Sequence, residues 1–181
     1  VVQLSTVCVT FRFHPTLSQY VALLSRRLVI AAPWTEIYLD AARWEIPAER
    51  MKMDRPHIVP LSRQSVSVLR RLQELSYGSP WVLPHERKPL HLHMSNKTLL
   101  FALYRLVYRG RMTGHGFRSV ASTILHEKEY VHEHIEMQLA HSDDDEVSAA
   151  YNGAQYLSQR TKMMQDWADY LDAARLQGVE Q

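Results

Sequence analysis

Apolar and polar positions along the chain change period several times. LSQYVALLSRRLVIA, residues 17–31, carries its apolar residues at helical spacing and predicts a helix. TEIYLDAARWEIP, from Thr35 to Pro47, is rich in β-branched and aromatic residues around a polar break at Asp40, which predicts a hairpin. HIVPLS, residues 57–62, reads as a third short strand after the turn MKMDRP. Val66, Leu69, Leu72 and Leu75 then recur at helical spacing, with Ser62 as the expected N-cap. Pro80, Pro84 and Pro89 break the following stretch into loop. Further helices are expected from Ser95 through NKTLLFALYRLVY, from Thr113 or Gly114 to about Glu127, over residues 130–140, and briefly at DEVSAAY. The last stretch, AQYLSQRTKMMQDWADYLDAARL, reads as a long amphipathic helix. The pattern predicts a mainly helical α+β domain, with a small three-stranded antiparallel sheet packed on a helical body.

Composition narrows the picture. The chain has 181 residues, 46% hydrophobic and 22% charged, enough for one domain with a core of its own. Its one cysteine, Cys8, excludes an internal disulfide and a cysteine-rich zinc site, which fits a reducing compartment. No apolar run approaches the ~20 residues of a membrane helix. The start VVQLSTVCVTFRF has neither the charged segment of a signal peptide nor an initiator methionine, so a cytoplasmic fragment is expected. Net charge is only +2, yet Arg105, Arg109, Arg111 and Arg118 lie close together, as do Lys52, Arg55 and Arg63. A local basic face of this kind suits a polyanion.

Ten histidines invite a metal reading. His132 and His134 stand ~200° apart on a helix, which is poor for joint ligation, and HExxH is absent. No metal and no cofactor is expected. His57, His85, His91 and His93 read as loop or surface residues.

The more informative set is ordered. HGFR puts His115 and Arg118 three apart at a helix start, so the two share a face. QLAH brings His141 further on, and Tyr151 follows ten residues after it. Lys52 lies upstream in the turn before HIVPLS. Four of these five side chains can donate to a phosphate, and the fifth is a phenol.

The words WTEIYLD, ERMKMDRPHIVPLS, MTGHGFRSVASTIL, IEMQLAH and AAYNGAQYLSQRTKMMQDWADYLD resemble the catalytic domain of tyrosine recombinases, the phage integrase family. The likeness is strongest to integrases of satellite phages and genomic islands. It implies site-specific DNA recombination, in which a strand is cut and rejoined through a 3′-phosphotyrosyl intermediate, with no cofactor. It implies Tyr151 as nucleophile, Arg118 as phosphate clamp and His115 as a proton acceptor or donor near the nucleophile. His141 would bond a non-bridging oxygen, and Lys52 would protonate the leaving oxygen. Arg55, Arg105, Arg109 and Arg111 would contact the DNA backbone. The implied partners are double-stranded attachment-site DNA, further copies of the chain on that DNA, and accessory DNA-bending factors.

One departure stands out. The family carries another arginine on the helix before the hairpin, nine residues ahead of a tryptophan; counting back from Trp34 lands on Ser25, with Arg26 beside it. Residues 1–33 therefore read as an atypical N-terminal segment and 34–181 as the catalytic domain proper, without the family's N-terminal DNA-wrapping domain. Either Arg26 reaches in, or the chain is a catalytically impaired remnant that folds and binds DNA without cleaving it. An unrelated metal-binding helical protein is the third reading.

Overall fold

The computed structural model describes residues 25–52, 54–95, 97, 98, 101, 104, 114–140 and 156–179, and the side chains of these except 26, 115, 178 and 179. The described elements are α1 (Arg26–Ile30), β1 (Ile37–Tyr38), β2 (Arg43–Ile46), β3 (His57–Pro60), α2 (Arg63–Leu75), α3 (Gly114–Glu127), α4 (His132–Gln138) and α5 (Leu157–Val179). Lys97, Thr98, Phe101 and Tyr104 are also helical.

The three strands form one antiparallel sheet in the order β1-β2-β3. Trp44 pairs with Val59 and Ile46 with His57, so alternation turns these four side chains to one face. All four are buried, and Val29, Ile30, Leu69 and Leu72 pack into the same cluster. Burying a side chain of this size contributes about 1.5–3 kcal/mol. The hairpin is shorter than its sequence suggests. Thr35 and Glu36 belong to a 3₁₀ turn, Trp34–Glu36, because Glu36 is drawn inward. Its carboxylate accepts from Trp44 Nε1 at 2.9 Å and pairs with Arg50. Arg50 also donates to the Leu28 carbonyl at 3.0 Å, which ties α1 to the base of the β2–β3 turn.

Ser62 caps α2 as its sequence predicts: its hydroxyl accepts from the Ser65 amide at 3.2 Å. Leu69, Leu72 and Leu75 are buried, while Val66 lies at the edge of the cluster. Ser95 meets the Thr98 hydroxyl at 3.1 Å.

A second apolar cluster joins α3, α4 and α5 through Ala121, Leu125, Ile135, Leu139, Met163 and Trp167. Helix α3 has the bounds its sequence predicts and ends where Glu129 turns left-handed, φ 62°. The apolar stripe of α5 packs on this domain's own body, apart from Tyr170, which is exposed. Helix α5 touches β3 and α2 on one side and α3 and α4 on the other, so it borders both clusters. Gln64 donates to Asp169 at 2.7 Å and Gln165 to Gln64 at 2.9 Å, pinning α5 to the start of α2. No described helix is long and apolar enough to cross a membrane.

Candidate active site

The residues expected to carry chemistry fall at the ends of elements. Lys52 is exposed in the β2–β3 turn, which closes with the Asp54 amide on the Met51 carbonyl at 3.2 Å. Arg55, half-buried, follows in the same turn. Arg118 stands one helical turn before Ala121 and two before Leu125, on the face of α3 that packs against α4. Its guanidinium is consequently half-buried, and Nη2 donates to the Leu139 carbonyl at the end of α4. Burial pulls its pKa below the usual arginine value, and the Glu136 carboxylate pushes the other way. Arginine remains charged at any working pH. Helix α4 ends at Gln138 with Leu139 as its C-cap, and Ala140, left-handed at φ 52°, follows one residue before His141.

The position of His115 in α3 is described, but not its side chain, and the same holds for Arg26 in α1. His141, Tyr151, Arg105, Arg109 and Arg111 lie outside the described residues, as does the expected helix DEVSAAY. Ser25, where the family pattern calls for arginine, is exposed and caps α1, its hydroxyl accepting from the Leu28 amide at 3.5 Å. Among the described residues no group of three or more His, Cys, Asp or Glu is arranged to hold a metal.

Two residues near Arg118 escaped the sequence reading. His57, which reads as a loop or surface residue, is instead buried in β3, because the alternation that turns Val59 inward turns His57 inward too. Arg160 is fully buried on α5. It lies three, four and seven residues before Met163, Met164 and Trp167, so the helical stripe that buries them buries it as well. Arg160 Nε donates to Gln138 Oε1 at 2.9 Å, and Nη2 to the Ile58 carbonyl at 2.5 Å. His57 donates to the Gln138 carbonyl, and since its Nε2 has no partner the donor is Nδ1. Arg118 Nε, Gln138 Nε2 and Arg160 Nη1 are likewise buried without a hydrogen-bond partner among the described residues.

Burial, with Arg160 and then Arg118 nearby, drives the His57 pKa from 6.5 down to about 3, against the pull of the Gln138 bond. The folded protein therefore holds His57 neutral where the unfolded chain would protonate it. The sign follows. The contribution to stability is complete above pH 6.5 and is lost as pH falls towards 3, up to about 5 kcal/mol. His57→Gln keeps an N–H for the Gln138 carbonyl but cannot titrate. The stability gap between native and variant should shrink by most of that amount between pH 7 and pH 4, measured by urea unfolding. Parallel acid profiles would contradict it.

With the site placed, comparison with known proteins assigns the class. Residues 29–157 match the phage integrase family, and the chain belongs to that family of tyrosine recombinases. It is 45% identical over 143 residues to the prophage integrase IntA of Escherichia coli K12, covering 79% of this chain and 34% of IntA. It is 38% identical over 160 residues to the integrase of enterobacteria phage P4, covering 80% of this chain and 36% of that protein. The chain thus spans about a third of the length of these relatives. No solved structure matches it significantly.

Proposed function

We propose that the chain is the catalytic part of an integrase that recombines double-stranded DNA at specific attachment sites. The observation that carries the reading furthest is the seat of Arg118. Its Nη2 donates to the Leu139 carbonyl at the end of α4, two residues before His141 in the sequence, which supports pairing the two as proposed phosphate ligands.

In this reading the Tyr151 phenol, with an ordinary pKa of ~10, gives up its proton as its oxygen bonds to the scissile phosphorus. His115 takes or relays that proton. Charge gathers on the phosphoryl oxygens, where Arg118 and His141 donate to it as in an oxyanion hole. The bond from phosphorus to the 5′ oxygen breaks, and Lys52, exposed in its turn, supplies that oxygen's proton. The chain is left esterified to the DNA 3′ end. Attack by a 5′ hydroxyl reverses the step, so religation needs no cofactor and no outside energy. Arg55, Arg105, Arg109 and Arg111 would track the backbone. Copies of the chain would associate on the DNA in the cytoplasm, with DNA-bending factors as further partners.

Ser25 favours a second reading, an impaired remnant. A short hydroxyl capping a helix stands where an arginine would otherwise reach the phosphate. One missing donor set of this kind removes about 3 kcal/mol from the transition state.

The test is covalent trapping on a nicked duplex carrying the attachment site that flanks the gene, with the native chain and Ser25→Arg side by side. A denaturation-resistant protein–DNA band from the native chain, mapped by mass spectrometry to Tyr151, supports the enzyme. A band from Ser25→Arg alone supports the remnant. No band from either overturns the proposal for this chain.

A further inference from the structure

The reaction proposed above uses one member of a larger polar seam. Arg160 lies where the cluster under the sheet meets the cluster of α3, α4 and α5. Its two donor nitrogens reach acceptors on different elements, Gln138 on α4 and Ile58 on β3. His57 holds the Gln138 carbonyl, and the next carbonyl, that of Leu139, holds Arg118. The bonds therefore run unbroken from α5 and β3 through the end of α4 to Arg118 on α3.

Each of these elements borders one position of the proposed site. Lys52 lies five residues before β3, Arg118 is on α3, His141 is two residues beyond Leu139, and Tyr151 is nine before Arg160. The seam is also a costly way to hold helices together. Burial pulls the Arg160 pKa down to about 10, and no described carboxylate pairs with the group. Apolar residues of the same volume commonly hold such a junction at least as well. What a buried arginine adds is geometry: a planar fork that fixes two acceptors in one relative position.

We propose that Arg160, assisted by His57 and Gln138, is a positioning residue for the phosphate clamp. It sets the end of α4 against β3 and so places the Leu139 carbonyl that orients Arg118. It touches no DNA. The inference rests on Arg118 being the clamp.

Arg160→Met tests it, because methionine fills the space and makes neither bond. Two quantities are read at a temperature where melting curves show each protein folded: hydrogen exchange at the Arg118 Nε–H by NMR, and the rate of adduct formation in the trapping assay. Exchange should rise roughly tenfold. The rate should fall roughly 10- to 100-fold with DNA affinity unchanged, as expected for a misplaced catalytic group. Combined with Arg118→Lys, the rate loss should be well short of additive, since both changes act through one contact. Unchanged exchange, or an adduct rate equal to native in folded Arg160→Met, overturns the proposal. If Arg160→Met fails to fold, Gln138→Leu, which removes the Nε bond alone, carries the same comparison. Should the native chain form no adduct, the rates are compared in Ser25→Arg; should neither form one, the reading of the reaction falls, and a persisting exchange effect still assigns Arg160 to seating Arg118.

Discussion

Tyr151→Phe should form no covalent adduct with DNA, a loss on the order of 10⁴-fold or more, with little change in melting temperature. The substitution removes one oxygen and keeps the ring, so the proposed nucleophile is lost with the least change in side-chain volume. The phenols of Tyr130 and Tyr156 are poor substitutes. Tyr130 donates its hydroxyl to Asp166, and burial together with that bond pushes its pKa up to about 12. Such a phenol is harder to deprotonate than an ordinary one and already spends its proton on a carboxylate. Tyr156 has its ring against His134, with centroids 4.6 Å apart, at the start of α5. Tyr130→Phe and Tyr156→Phe should therefore keep the adduct. A band surviving in Tyr151→Phe and vanishing in Tyr156→Phe would move the nucleophile and overturn the assignment.

The second large effect is expected at Arg118. Arg118→Lys keeps the charge but should lower the single-turnover cleavage rate roughly 10²- to 10³-fold, the usual consequence of losing a donor aimed at the developing charge. The guanidinium can bond the Leu139 carbonyl through Nη2 and still present other N–H groups of the same rigid plane to a phosphate. An ammonium has its three donors on one atom, and the longer reach to Leu139 draws that atom away from the phosphate. The fold should lose only about 1–3 kcal/mol, because one buried carbonyl forfeits its partner. Cleavage within tenfold of native, in protein shown to be folded, would remove Arg118 from the clamp.

Much of this architecture is legible in the amino-acid order, and the gaps have a common cause. Helices α2 and α3 announce themselves because their apolar periods are clean and, in α2, because a serine stands ready to cap. The hairpin is readable from its β-branched and aromatic residues. Its shortened first strand is not, since the pull on Glu36 comes from Trp44 and Arg50, partners distant in sequence. His57 and Arg160 are the instructive cases. Judged by residue type, both read as solvent-facing. Judged by register, His57 shares a face with Val59, and Arg160 shares a stripe with Met163 and Trp167. At both positions register is a better guide than polarity. The order Lys52, His115, Arg118, His141, Tyr151 is a sequence reading that carries the proposal above, because a phosphoryl-transfer site needs several cations and one nucleophile; His141 and Tyr151 lie outside the described residues.

The place of Arg160 bears on how the protein is made. Helix α5 is the last of the described elements to leave the ribosome, and the Arg160 bonds to Gln138 and Ile58 wait for its first turn. A nascent chain ending before α5 has the sheet, α3 and α4, but not the guanidinium that sets them in register. On the proposed role of Arg160, the phosphate clamp is thus set late in synthesis, after residue 151 has itself been made. On that reading an unfinished polypeptide has Arg118 without the contact that sets its seat.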